Sequence, residues 1–155
     1  MAEKFQVEAI GWVRSSRKAA LDDDWDSVTA SIELDTAQFD RQAMAGLDAF
    51  SYVEVIFLFD QVDPEDVQRG ARRPRGNPDW PETGIFAQRA RKRPNRIGST
   101  ICRIVAVDGT RLYVAGLDAI DATPVLDIKP VMQGFLPRGD VAEPDWARQL
   151  MRDYW

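Results

Sequence analysis

The sequence contains no histidine and only one cysteine, Cys102. Catalysis by a Ser-His-Asp or Cys-His arrangement is therefore excluded, because the histidine base is missing. A zinc site built from histidine and cysteine is excluded for the same reason, and we expect no metal. One cysteine cannot form an intrachain disulfide, so we expect a cytoplasmic protein. Any proton transfer must use a carboxylate, a lysine, a tyrosine, the backbone or water.

Long apolar runs are also missing. No stretch approaches the run of about 20 apolar residues that a membrane-spanning helix needs, and the N-terminal MAEKFQVEAIGWV lacks the basic and apolar regions of a secretory signal. Neither GxxxxGK[ST] nor GxGxxG occurs. We therefore expect no membrane association, and neither of the two familiar phosphate-binding loops is present.

Hydrophobic alternation predicts a mostly β protein. The length suits one domain spanning residues 1–155. Thr36 is a plausible N-cap for a short helix that runs to about Gly46, and Pro144 opens a C-terminal helix. Short strands are predicted over residues 5–13, 28–34, 52–59, 101–107, 112–115 and 125–128. Six or seven short strands with one or two short helices favour a small antiparallel β-barrel.

Charge is unevenly distributed along the chain. Residues 69–96 carry nine Lys or Arg against two acids, a balance of +7, whereas the remaining residues carry eleven against twenty-three, a balance of −12. Residues 60–83 hold four of the nine prolines and show no periodicity, and such a long loop in a small domain is usually functional. One surface could therefore meet phosphates, although a solvated basic loop explains the charge equally well.

Three segments could carry chemistry. Residues 84–98 place five cations around a Pro94-Asn95 turn, and arginine suits phosphate through its planar fork. Residues 117–130 hold Asp118, Asp121 and Asp127, which could bind hydroxyls or an ammonium group or could be ordinary turn aspartates. The pair Asp60-Gln61 follows the apolar strand, where functional residues often lie.

Four motifs in order resemble the TsaA-like (TrmO) family. They are FAQRARKRPNRIG at 86–98 and DAIDATPVLDIKPV at 118–131, with IGWVRS at 10–15 and GLDAFS at 46–51. The resemblance covers about residues 7–133. The chain departs from the family pattern at five places. The family often has His where this chain has Asp60, Thr where it has Gln88, and Ser-Pro where it has Ala90-Arg91. The Pro of RPNP is Arg96 here, and the Gly of DGTP is Ala122.

The resemblance implies a β-barrel methyltransferase that uses S-adenosylmethionine, forms a homodimer and methylates the N6 position of a modified adenosine in tRNA. It assigns cofactor binding to Asp60, Gln61, Phe86, Arg89, Leu117, Asp118, Ile120 and Asp121. The other cations of the basic segment, with Asn95, are then expected to bind RNA, namely Arg91, Lys92, Arg93 and Arg96.

The residues themselves leave two questions open. The group that accepts the proton from the adenine amine is undetermined among Asp118, Asp121 and Asp127. The acceptor could also be a small molecule, or the barrel could bind RNA or the cofactor without catalysis. Methyl transfer from a sulfonium needs alignment more than an acid or base, so the lack of histidine is compatible with it.

Overall fold

The computed structural model describes residues 2–155 and contains a closed barrel of six antiparallel strands in the order β1-β2-β7-β6-β3-β8. These strands are β1 (Gly11–Ser15), β2 (Thr29–Leu34), β3 (Tyr52–Leu58), β6 (Ile97–Asp108), β7 (Arg111–Ala115) and β8 (Pro124–Pro130). A separate two-stranded hairpin joins β4 (Ala71–Arg72) and β5 (Thr83–Gly84). The predicted mostly β, antiparallel barrel is confirmed.

Helical structure is short. One α-helix, α1, spans Asp145–Leu150, directly after Pro144. The 3-10 helices are Arg41–Met44, Leu47–Ala49, Pro64–Asp66, Pro74–Gly76, Ile85–Ala87, Pro94–Arg96 and Gln133–Phe135. Across residues 2–155, no helix combines the length and the apolar character that crossing a bilayer requires. That residues 1–155 form one domain stays a prediction.

The barrel interior is filled by alternate residues of the strands. Val53, Val55 and Phe57 of β3 are at most 2% exposed and point inward, as the period of two along a strand requires. Ile32 and Leu112 meet them from β2 and β7. The apolar alternation of the sequence thus becomes one continuous core.

All candidate segments emerge at one end of the barrel. Because every neighbouring pair of strands is antiparallel, the ends of β1, β3 and β7 lie beside the starts of β2, β6 and β8. The connections 16–28, 59–96 and 116–123 therefore meet at this end, which we call the loop end. The Asp60-Gln61 pair, the basic segment and the start of the 117–130 segment are distant in sequence but share this end.

Two local predictions are wrong. The predicted strand over residues 5–13 begins only at Gly11. Residues 5–8 alternate in hydrophobicity, but they are exposed and pair with no neighbouring strand. The helix predicted from Thr36 to Gly46 is replaced by short 3-10 turns. Asp40 caps the first of them, since its side chain accepts from the Gln42 N–H at 2.8 Å.

Two motif glycines are explained by packing in the barrel wall. A Cβ at Gly11 would lie 2.2 Å from the Glu33 carbonyl oxygen of the paired strand. A Cβ at Gly98 would lie 2.5 Å from the Phe57 ring, which packs edge-on against Phe59. The glycines of IGWVRS and RPNRIG therefore allow close approach within the barrel.

Candidate functional site

The connection between β7 and β8 presents Asp118 at the loop end. The loop turns through Gly116 and Ala122, both with positive φ. Its far side is fixed to β1, because the Asp121 carboxylate accepts from the Ser15 N–H at 3.0 Å. Leu117 is fully buried and belongs to the barrel core. The loop is thus held at both ends, with Asp118 half-buried between them.

Ala122 has a φ of 67°, the left-handed region in which glycine is favoured. We expect Ala122→Gly to raise the free energy of unfolding by about 0.5–1 kcal/mol, since relief of the left-handed strain exceeds the entropy that glycine loses on folding. Urea unfolding measures this. Ala106→Gly in β6 is the matched control and should lower the free energy of unfolding. If Ala122→Gly is less stable than the parent, Ala122 is not strained by its positive φ.

Asp118 receives a hydrogen bond on each carboxylate oxygen. The Thr100 hydroxyl donates to Oδ1 and the Tyr154 hydroxyl donates to Oδ2. Burial and the neighbouring charge of Asp118 raise the pKa of Tyr154 well above its ordinary value. Burial, with a smaller contribution from Asp118, also raises the pKa of the Cys102 thiol to about 12. Tyr154 is therefore a donor at neutral pH, and Cys102 is an unreactive core residue.

Arg89 contacts the same stretch of β6 as Asp118 does. Its Nη2 donates to the Ser99 carbonyl oxygen, one residue before Thr100. The positive charges of Arg75 and Arg89 partly offset the rise in the Tyr154 pKa. A cation and a carboxylate from the two main motifs thus converge on Ser99 and Thr100.

The other predicted cofactor residues have surroundings of their own. The Phe59 N–H donates to the Arg96 carbonyl at 2.8 Å, which places the Asp60-Gln61 turn near the residue that precedes β6. Gln61 donates to the Asp60 carboxylate at 3.2 Å. Phe86 is 78% exposed. Ile120 is half-buried, and its carbonyl accepts from the Thr123 hydroxyl within the loop.

The sequence left the proton acceptor undetermined among three carboxylates, and the structure gives each of them different surroundings. Asp127 lies midway along β8, opposite Ile56, and pairs with Lys129 at 2.7 Å. Asp121 is engaged by the backbone of β1. Asp118 is the one bonded to Thr100, the residue next to the Ser99 that Arg89 contacts. Asp118 is therefore the carboxylate best placed to meet a ligand at the loop end.

The long excursion folds back against the basic segment. The Gln68 N–H donates to the Lys92 carbonyl at 2.9 Å, and the Ile85 N–H donates to the Gly70 carbonyl at 2.9 Å. Gln88 is buried, and its amide donates to the Thr83 carbonyl at 2.6 Å. Arg69 and Arg91 are therefore the sequence neighbours of Gln68 and Lys92, which bond to each other across the two segments. We call the surface that carries Arg69 and Arg91 the basic surface.

Several cations of the basic segment also brace it. Arg93 donates to the Gln88 carbonyl at 2.6 Å and Arg96 to the Val62 carbonyl at 2.7 Å. Lys92 forms an exposed pair with Asp66 at 3.3 Å. Asn95 has a φ of 63°, which asparagine tolerates better than most residues, so it holds the turn.

Arg69 and Arg91 are exposed, and in residues 2–155 the structure records no side-chain hydrogen bond or ion pair for either. Both guanidinium groups are therefore available to an external anion, whereas those of Arg93 and Arg96 already have backbone partners.

Sequence reasoning missed Thr100, Gln88 and Tyr154. Thr100 and Gln88 are buried polar residues in a strand and a turn, and only the tertiary structure reveals their partners. Tyr154 lies far along the chain from Asp118 and carries no motif. In the described part of the chain, no three Cys, Asp or Glu side chains are grouped so that they could hold a metal ion.

Comparison with known proteins agrees with the four-motif resemblance. Residues 19–135 match the family model of the tRNA-methyltransferase O N-terminal domain. A Homo sapiens protein named tRNA (adenine(37)-N6)-methyltransferase is 36% identical over 104 residues, which is 67% of this chain and 23% of that protein. A Pyrococcus horikoshii protein named as a probable S-adenosyl-L-methionine-binding protein is 29% identical over 128 residues, 82% of each chain.

Solved structures agree on the fold. A crystal structure titled as TrmO from Pseudomonas aeruginosa superposes with a TM-score of 0.75 at 27% identity and covers 94% of this chain and 63% of that one. This chain thus spans less than a quarter of the human relative and under two thirds of the bacterial structure.

Proposed function

The chain belongs to the tRNA-methyltransferase O family, and from this membership we propose that it is an S-adenosylmethionine-dependent methyltransferase that acts on the N6 position of a modified adenosine in tRNA. The observation that carries the proposal is the convergence of Arg89 and Asp118 on Ser99 and Thr100 at the loop end. The relatives' names supply the tRNA substrate and the cofactor.

The donor set fits S-adenosylmethionine. The cofactor carries a carboxylate, an ammonium group, a ribose diol and a flat base. Arg89 offers a guanidinium for the carboxylate, and Asp118 keeps lone pairs for hydroxyls or the ammonium group. The proposed cofactor residues also include Asp60, Gln61, Phe86, Leu117, Ile120 and Asp121.

When bound, the cofactor supplies a methyl group on a positively charged sulfur. The role of this chain is to hold the reactants aligned, and alignment alone can lower the activation free energy by several kcal/mol. The amine of adenine is a weak nucleophile, and a carboxylate that accepts its proton would help. We propose Asp118 for this role, because Asp121 is bonded to β1 and Asp127 lies on the barrel wall.

The basic surface supports an RNA substrate. Arg69 and Arg91 offer exposed guanidinium groups, and the loop that carries Lys92, Arg93, Asn95 and Arg96 is braced by backbone contacts that hold it in one shape. Phosphate contacts of this kind position RNA without reading its sequence. A cytoplasmic location belongs to the same proposal.

A small-molecule acceptor is the second candidate. Arg75, which belongs to the positive stretch, is paired with Asp23 at 3.0 Å, and the acids of residues 22–26 lie at the loop end and would repel phosphates. In this case the barrel would bind the same cofactor but would show no salt-dependent affinity for tRNA.

Calorimetry with S-adenosylmethionine, followed by a methyl-transfer assay on tRNA from cells that lack the gene, tests the proposal. Binding together with transfer to tRNA supports it. Binding with no transfer to tRNA favours the small-molecule candidate, and no binding to a folded sample rejects the methyltransferase.

We propose a homodimer whose interface is the outer face of β3 and β6. Aromatic residues are enriched at interfaces, and the C-terminal segment carries Trp146, Tyr154 and Trp155. The Tyr154 hydroxyl, however, donates to Asp118 of its own chain. The outer strand face instead exposes four large apolar side chains, those of Tyr52, Ile97, Ile101 and Val105, each at least 42% exposed. Such a patch is typical of an association surface.

We expect light scattering at micromolar concentration to give about twice the 17.5 kDa chain mass. Val105→Glu should shift the mass toward the monomer, because a charge would be buried without a partner. Val141→Glu changes an exposed valine outside this face and is the matched control. A monomeric parent protein would end the dimer proposal.

A further inference from the structure

The C-terminal segment, residues 145–155, is fixed to the loop end. The Asp24 N–H donates to the Asp153 carbonyl at 3.0 Å, and the Trp25 N–H donates to the Tyr154 carbonyl at 2.9 Å. Trp25 is buried beneath this contact. Trp80 also donates from its indole to Gln149 at 2.8 Å. Backbone and side-chain bonds thus hold Tyr154 against the candidate site.

The Tyr154 hydroxyl fixes the orientation of Asp118. Together with the Thr100 hydroxyl, it places one donor on each carboxylate oxygen. Each oxygen of a carboxylate has room for a second donor. The group therefore cannot rotate freely, yet it can still accept a hydrogen bond from a ligand.

We propose that Tyr154 is a positioning residue that holds the Asp118 carboxylate in place for a hydroxyl or ammonium group of S-adenosylmethionine. The inference rests on the proposed function. The family match ends at residue 135, so Tyr154 lies outside it. The C-terminal segment thereby becomes part of the cofactor site.

The test is Tyr154→Phe in the full chain. We expect calorimetry to show about a 10-fold rise in the dissociation constant of S-adenosylmethionine, because the carboxylate loses one of its two fixed donors. In the methyl-transfer assay, KM for the cofactor should rise by the same factor, and kcat should fall as well, because Asp118 is also the proposed proton acceptor. Tyr113→Phe is the matched control; it removes a hydroxyl beside Arg111 on β7. Thermal melting verifies that each variant is folded.

A second measurement does not depend on the cofactor. The pKa of Tyr154 is raised by burial and by Asp118, so ultraviolet titration of the folded protein should leave one tyrosine un-ionised at alkaline pH. Asp118→Asn should bring that ionisation to lower pH. If it does not, the Tyr154–Asp118 contact is absent in solution and the inference fails even where Tyr154→Phe does not fold.

The outcomes separate the two proposals. Weakened binding in Tyr154→Phe with an unchanged Tyr113→Phe supports the inference. If Tyr154→Phe binds the cofactor as the parent does, the positioning role is wrong and the proposed function stands. If the folded parent binds no S-adenosylmethionine, the proposed function fails and the positioning role fails with it.

Discussion

Asp118→Ala is expected to weaken S-adenosylmethionine binding about 10- to 100-fold, because hydrogen bonds to a charged group contribute about 1.5–3 kcal/mol. Asp118 receives donors from Thr100 and Tyr154, and Arg89 contacts the neighbouring Ser99, so loss of Asp118 removes the anionic half of the candidate site. Calorimetry on the purified chain measures the effect. Methyl transfer should fall further than affinity alone predicts if Asp118 also accepts the proton.

Arg89→Ala is the companion variant and should weaken cofactor binding as well. Asp140→Ala, an exposed carboxylate outside the loop end, is the matched control and should bind as the parent does. Should both Asp118→Ala and Arg89→Ala bind the cofactor normally, the assignment of these residues is wrong even though the family membership stands. A shift in melting temperature would separate loss of folding from loss of binding.

The barrel was predictable from the sequence because its strands alternate. Ala30, Ile32 and Leu34 alternate along β2, residues 52–59 form a β-branched and aromatic run that predicts a strand buried on both faces, and the Asp108-Gly109 turn separates β6 from β7. Only one face of β3 is fully buried, since Tyr52 is 45% exposed. The length of β6 was underestimated, since Ile97 to Thr100 pair with the end of β3 across a loop whose fold no local pattern reveals. The failed helix near Thr36 shows the same limit, because Asp40 supplies a competing cap.

The candidate site was predictable only through ordered motifs. They brought Arg89 and Asp118 into one prediction, and the antiparallel barrel explains why, since alternate connections share one end. Tyr154 could not be found this way, because its contact with Asp118 depends on how the C-terminal segment returns to residues 24–26. Partners that are distant in sequence and carry no motif are set by tertiary structure alone.

The structure also changes which cations should be tested for RNA binding. Arg93 and Arg96 donate to backbone carbonyls, so their removal would disturb the loop as well as any phosphate contact. Arg69 and Arg91 are exposed on the basic surface. A double replacement of these two therefore isolates the electrostatic contribution.

Arg69→Ala combined with Arg91→Ala is expected to weaken tRNA binding about 10- to 100-fold near physiological salt, since each lost contact removes a charged hydrogen bond. The slope of log affinity against log salt should fall by about 1.5, because each phosphate contact releases counterions. Filter binding over a salt series measures both quantities, and cofactor affinity should not change. Arg41→Ala with Arg138→Ala removes two exposed arginines elsewhere and is the matched control. If the control pair weakens tRNA binding equally, the attraction between the chain and tRNA is nonspecific. If the parent protein does not bind tRNA, the small-molecule acceptor becomes the favoured candidate.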